Sequence, residues 1–329
     1  MSQTICHICG NEFSKESGLQ KHMKRKKPCI APREASVSDI TTFFTNSTRN
    51  ENDATNKIRE KILKHIDNPP NDFLEHSEHG ESWRKVHQAW KGSLKKVAEA
   101  TGISKYTSTS TTEKGGRRLH FDADVAYYHE ENLVANRRIE FKNGGPTIGN
   151  LPQFLSLQVH IGLFPTTYDV FWYENFLDRY LSCDNAITEP KPTLELYRKQ
   201  VTKTDYASTP FFAQLKEREL FFQKEKNQVV NDSITDYLTK YGNSIDISTF
   251  SEKVRSSQTG KMYLLWWNQQ FHVDTFSEEE MSDMKYDSIK NGNLLVLKNR
   301  TASYKLLLRW RNHKGILNPA WQISMERTK

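Results

Sequence analysis

The tripeptide Glu140-Phe141-Lys142, preceded by Asp122 and Asp124, gathers three acids and an amine in one short segment, HFDADVAYYHEENLVANRRIEFKNGG. The segment reads as strand, turn, strand, Gly-Gly turn. On a strand, side chains two apart share a face. Glu140 and Lys142 therefore point one way, and Phe141 points back into a core. An antiparallel neighbour carrying Asp122 and Asp124 would bring one or both of them beside Glu140. Carboxylates side by side repel unless a cation sits between them, and a hard divalent ion such as Mg2+ prefers such oxygen ligands. An ammonium next to them orients a water or stabilises charge on a phosphoryl group. Those are the parts of metal-assisted phosphodiester hydrolysis.

The pattern Asp/Glu-x-Lys is common, and about three copies are expected by chance in a chain this long. Three are present, so context must choose between them. Glu189-Pro190-Lys191 lies in a Pro-rich connector, and Pro disfavours a central strand. Asp283-Met284-Lys285 ends an acidic helix-like run in which the two side chains would diverge. Only Glu140-Phe141-Lys142 has an apolar centre, a strand-like lead-in and a preceding acidic strand.

Flanking elements must hold that pair of strands. SWRKVHQAWKGSLKKVAEATG predicts a helix, with Trp83, Val86, Trp90, Leu94 and Val97 at helical spacing and Gly102 as its stop. After the Gly-Gly turn, LPQFLSLQVHIGLF predicts a mostly buried helix ending near Pro165, and TYDVFWYENF predicts a buried strand.

This arrangement resembles the PD-(D/E)XK nuclease superfamily, the restriction-endonuclease-like fold, over roughly residues 80–180. The resemblance implies that Asp124 or Asp122, together with Glu140, ligates Mg2+, with the Phe141 carbonyl as a further candidate. It implies that Lys142 positions the attacking water. Asp124 is favoured because the strand-formers Val125, Ala126, Tyr127 and Tyr128 follow it. By the same resemblance Gln153 or Gln158, and Glu81 or Glu99, are places where some relatives supply another group. A packed Gln and a solvated helix face are the plain readings of those four.

At the amino terminus, Cys6-x2-Cys9-x12-His22-x6-Cys29 has zinc-ligand spacing. Phe13 and Leu19 fall where a small ββα finger needs its core residues, so this segment resembles C2H2-type fingers, with Cys as the last ligand at a longer spacing. In that family the helix reads bases from three positions, here Lys15, Gly18 and Lys21. Gly reads nothing and two Lys discriminate weakly. Lys24 and Arg25, in the run Lys24-Arg25-Lys26-Lys27, suit phosphate contacts, so a docking aid on DNA is the leading reading and a protein-binding finger the other. The basic run also fits a nuclear-entry signal.

Residues 31–56 and the following Asn are polar and linker-like. They hold one apolar island, Val37-Ser38-Asp39-Ile40-Thr41-Thr42-Phe43-Phe44. Ile40, Phe43 and Phe44 on one helical turn are similar to the PIP box that binds the PCNA sliding clamp, although Val37 stands where the leading Gln is usual. Packing on the chain's own core is the alternative.

The carboxy-terminal half predicts helices over 194–241 and strands from Gly260 onward. Arg309 and Arg311 interleave with Trp310, and basic residues among aromatics grip phosphates and stack on bases. A solvated sheet edge explains the same charges. Trp266, Trp267 and Phe271 read as core, and His76 and His79 as a polar loop.

The fold class expected is α+β: a ββα zinc finger (1–30), a flexible linker (31–56), a restriction-endonuclease-like α/β core with a mixed sheet (57–185), and a carboxy-terminal α+β recognition domain (186–329). A net charge of +7 and a pI near 9.0 suit a polyanion partner. No stretch approaches a transmembrane run, no secretory signal is present, and four cysteines fit a reducing compartment, nuclear or cytoplasmic. The expected activity is Mg2+-dependent DNA cleavage, site-specific in the manner of restriction or homing enzymes, with Zn2+ structural. A homodimer would suit cutting both strands. The rival from another class is a non-catalytic DNA-binding or replication-associated adaptor.

Overall fold

The computed structural model describes residues 4–5, 12–13, 20, 58–59, 62, 65–67, 69–113, 121–201, 209–218, 223–268, 270–313 and 316–328. Contacts divide the chain into two units, 1–137 and 138–329. Among the described residues the architecture is α+β, with mixed and antiparallel sheet.

In the first unit, β1 (Thr4–Ile5) pairs antiparallel with β2 (Glu12–Phe13), Thr4 opposite Phe13. The zinc-spaced residues Cys6, Cys9, His22 and Cys29, the basic residues Lys15, Lys21, Lys24 and Arg25, and the island of Ile40, Phe43 and Phe44 lie outside the described residues. The short helix α1 (Asn71–Leu74) leads into α2 (Gly80–Ala100). Trp83, Val86, Trp90, Leu94 and Val97 are buried along one stripe of α2, as their spacing predicted. Gly102, at φ +72°, ends the helix in the left-handed conformation that favours glycine.

Strands β3 (Ser108–Glu113) and β4 (Ala123–His129) pair antiparallel, and β4 neighbours the start of β5 (Asn132–Asn143). Burial alternates along β4: Ala123, Val125 and Tyr127 are fully buried, whereas Asp124, Ala126 and Tyr128 are half-buried. The buried set faces α2, because the Tyr127 hydroxyl donates to the Leu94 carbonyl at 3.0 Å. Asp67 stitches this side together, accepting from Trp90 Nε1 at 2.6 Å and from the hydroxyl of Thr111.

The second unit opens on the rest of β5. Residues 138–143 run parallel to β7 (Lys261–Trp267), and β7 pairs antiparallel with β8 (Gln270–Asp274). Lys261 through Trp266 are all buried, as expected for a strand covered on both faces. An antiparallel sheet in the order β6 (Leu155–Gln158), β12 (Ile316–Arg327), β11 (Ala302–His313), β10 (Leu294–Lys298), β9 (Lys285–Lys290) completes the unit. Its helices are α3 (Tyr168–Asn175), α4 (Leu177–Ser182), α5 (Leu194–Val201), α6 (Pro210–Glu217), α7 (Gln223–Tyr241), α8 (Ile247–Gln258) and α9 (Glu278–Met281). The helices expected over 194–241 are present. Residues 138–185, grouped by sequence with the expected core, thus pair with carboxy-terminal strands through β5–β7 and β6–β12.

Two expectations are corrected. Residues 151–164 are not a helix: β6 occupies 155–158, with Leu155 and Leu157 buried and Ser156 and Gln158 facing outward. That period of two, after Pro152, belongs to a strand. TYDVFWYENF is not a strand but α3, where Tyr168, Phe171 and Trp172 recur at helical spacing and are all buried.

Candidate functional site

Glu140 and Lys142 lie where β5 becomes buried on both sides. Ile139 and Phe141 are inside, at 0% and 2% exposure, and Glu140 between them is itself buried. Burying a carboxylate is costly unless it is paired, and the partners are two lysines. Lys142 Nζ sits 2.6 Å from Glu140 Oε1, and Lys261 Nζ sits 3.4 Å from Oε2. The parallel register brings Lys261 here: Arg138 is opposite Lys261 and Glu140 opposite Tyr263, so all four lie on one face of the β5–β7 pair. The two ammonium groups are not equivalent. The Lys142 side chain is 30% exposed and that of Lys261 only 6%.

Lys261 is the residue that sequence reasoning missed. It lies 121 positions from Glu140. The one signal available was a lysine heading a strand buried on both faces, KMYLLWW, where such a charge needs a partner.

Asp122 and Asp124 belong to the first unit. Asp124 sits on β4 opposite Thr112 of β3, on the face away from α2, and Asp122 precedes the strand at a bend. In β5, Arg137 donates to the Thr101 carbonyl at the end of α2, at 3.2 Å. Among the described residues no group of three or more His, Cys, Asp or Glu is placed to hold a metal ion. Mg2+ does not require one: it keeps several waters and is held by one or two carboxylates plus substrate phosphates. In this structure each Glu140 oxygen lies against an ammonium group rather than an open ligand position.

The remaining candidates sit apart from this pair. Glu81 is exposed and pairs with Arg84 and Lys85 on α2, and Glu99 is exposed near the end of the same helix. Gln158 is exposed on β6, and Gln153 lies half-buried in the turn before that strand. Arg309 is exposed on β11 and donates to the Gln322 side chain at 2.8 Å across the β11–β12 pair. Arg311 follows it on the same strand. Trp310 packs edge-on against Trp172, with centroids 4.5 Å apart, and donates to the Tyr168 hydroxyl, so its indole is committed to packing. Trp266 and Phe271 are buried as expected, but Trp267 is 40% exposed at the end of β7. His76 and His79 stack in the turn before α2, where His76 Nδ1 accepts from two backbone N–H groups.

Another acid-and-base cluster among the described residues centres on Asp184, in the connector after α4. Arg218 grips both of its oxygens at 2.8 and 2.9 Å, and Lys226 lies 3.6 Å away. The Arg218 hydrogen bonds hold the Asp184 carboxyl below the usual carboxylate range, against the opposing effect of burial.

No helix among the described residues is long and apolar enough to cross a membrane. No family model, no curated protein and no solved structure matches this chain.

Proposed function

We propose that the chain is a metal-dependent DNA endonuclease, a phosphodiester hydrolase of the PD-(D/E)XK kind. The observation that carries the reading is the Glu140–Lys142 pair. A buried strand carboxylate meets an ammonium that is partly open to solvent, 2.6 Å away. Glu140 would hold Mg2+, with Asp124 or Asp122 as the second carboxylate. The ion supplies charge neutralisation and leaving-group stabilisation at phosphorus. Lys142, whose ammonium lies beside Glu140 and is partly open to solvent, would orient the attacking water. The zinc-spaced finger with Lys15, Lys21, Lys24 and Arg25 would add phosphate contacts, and Arg309 and Arg311 a second set. Ile40, Phe43 and Phe44 would engage a PCNA-type clamp. A finger and a clamp peptide in one chain point to a eukaryotic host, or to a virus or mobile element within one, and to restriction- or homing-type cutting.

A second reading has its own observation. Both oxygens of Glu140 are occupied by ammonium groups, which equally describes a structural ion pair in a non-catalytic DNA-binding adaptor. The experiment that separates the two is incubation of the purified chain with mixed DNA substrates and Mg2+, followed by sequencing of fragment ends. A nuclease yields new ends: a shared sequence marks site-specific cutting, and ends at junctions or flaps mark a structure-specific enzyme. An adaptor yields none, even with Mn2+. Matched DNA and RNA duplexes settle the nucleic acid.

A further inference from the structure

We propose that the outer edge of β5, residues 132–137, pairs antiparallel with the same edge of a second copy of this chain, Val134 meeting Val134 on the two-fold axis. The pairing holds whether or not the chain cuts DNA.

β5 spans Asn132–Asn143, but β7 lies against it only from Arg138 onward. Along residues 132–137, β4 lies on one side, and among the described residues no strand lies on the other. An uncovered edge presents a row of backbone N–H and C=O groups that another strand can pair with, and proteins ordinarily blunt such edges with Lys, Pro or a bulge. Residues 132–136 read Asn-Leu-Val-Ala-Asn, with neither Lys nor Pro. Leu133 and Val134 are 54% and 47% exposed, the two most exposed large apolar side chains among the described residues.

The edge itself specifies its occupant. From Glu131 to Arg137 the order is acid, Asn, apolar, Val, apolar, Asn, base, which is complementary to its own reverse. In antiparallel register about Val134, Leu133 faces Ala135 of the second copy, Asn132 faces Asn136, and Glu131 faces Arg137. Residues directly opposite in an antiparallel pair share a face, where opposite charges stabilise and like charges oppose. Such a self-complementary contact closes after two copies.

A cavity of about 420 Å3 beside the edge supports the same partner. Lys105, His129 and Arg137 line it together with Val134 and Ala135, and no acid does, so it suits the incoming Glu131 carboxylate. Arg137 donates to the carbonyls of Asn136 and Thr101, which fixes its guanidinium at this place. A guanidinium has five N–H donors, so others remain for a carboxylate. Exposed ion pairs add little affinity; here they select the partner and the register. A nucleic-acid backbone would meet the cations but would leave the N–H and C=O row and both aliphatic side chains unused. One pair of short strands is small beside a standard interface of about 1,200–2,000 Å2, so the dimer is weak and forms with rising concentration.

The test is sedimentation velocity of the full chain over a concentration series, with crosslinking at the axis. Wild type should pass from monomer to dimer as concentration rises. Val134→Lys, which sets two ammonium groups against each other at an exposed position, should weaken association at least tenfold. Glu131→Arg and Arg137→Glu should each weaken it about tenfold, yet the two variants mixed should associate as wild type does, because the mixture restores both opposite-charge contacts. Circular dichroism checks that each is folded. Val134→Cys, which keeps the test open if a charged variant does not fold, should oxidise to a dimer linked through position 134. Directly opposed residues lie within disulfide range, and mass spectrometry of the linked peptide locates the bond. A chain that stays monomeric throughout, with no link at position 134, overturns the proposal. A dimer that Val134→Lys leaves unchanged also overturns it, since its interface is then elsewhere. If wild type is monomeric and Val134→Lys loses DNA or peptide binding instead, the edge belongs to that partner and the second copy is excluded.

Discussion

Two clusters in the second unit contain the same groups, one carboxylate and two cations, and differ in how those groups are held. At Asp184 the carboxylate is gripped by a guanidinium fork, with Arg218 Nε and a terminal nitrogen on separate oxygens. The Ala186 backbone N–H adds a bond to Oδ1, and Lys226 is tied to the Arg218 carbonyl at 2.9 Å. Every member has another reason to stay where it is. At Glu140 each oxygen meets a separate lysine, one of them partly in solvent. A planar bidentate pair is a fixed joint, whereas a lysine is a point charge on a flexible stem that a competing cation can displace. The first cluster is built to close a connector onto the helices α6 and α7. The second leaves one of its two cations, Lys142, partly open to solvent.

That contrast breaks if the two clusters respond alike to substitution. The largest expected effect is on chemistry: Lys142→Ala should lower the rate of Mg2+-dependent DNA cleavage by about 10²–10⁴-fold while leaving gel-shift affinity for DNA near wild type. Asp184→Asn should leave cleavage per folded molecule unchanged and instead destabilise the fold by about 3 kcal/mol at neutral pH, because it strands two cations around a buried site. Chemical denaturation measures that loss. Its pH dependence follows from the depressed Asp184 carboxyl. A carboxyl whose folded value lies below its unfolded one stabilises fully above the unfolded value, near 4. That contribution fades as pH falls through the folded value. The gap between wild type and Asp184→Asn should therefore close in acid. Arg218→Lys, which keeps the charge and removes the fork, should cost less than Asp184→Asn but still lower the melting temperature. Lys142→Met removes a partly exposed cation and leaves Lys261 on the Glu140 carboxylate, so it should lower the melting temperature less than Asp184→Asn does. A melting temperature that falls as far for Lys142→Met as for Asp184→Asn would make the two clusters equivalent and remove the reason to single out Glu140.

The sequence was most informative where one element carries its own period. The stripe of Trp83, Val86, Trp90, Leu94 and Val97 specified α2, and the alternation from Ala123 to Tyr128 specified β4 with Asp124 on the far side from that helix. It misled where aromatic or aliphatic runs are buried all round. Phe171 and Trp172 read as easily in a strand as in α3, and the segment around Leu155 reads as a helix until Ser156 and Gln158 are counted as the outward set. Pro319 sits within β12 opposite Trp310. The candidate site was half legible. Glu140 and Lys142 are two residues apart on one strand, so their meeting is local. Lys261 joins them only because β5 pairs with β7 across more than a hundred residues, and no local pattern encodes a parallel pairing of that separation.

The most direct test of the account compares the full-length wild-type chain with Glu140→Gln, at matched DNA occupancy, with Mg2+ added and then chelated. Wild type should cleave until the ion is chelated, and the variant should not cleave although it still binds DNA. Cleavage by Glu140→Gln at the wild-type rate, or no cleavage by wild type with either Mg2+ or Mn2+ on any DNA tried, would contradict it.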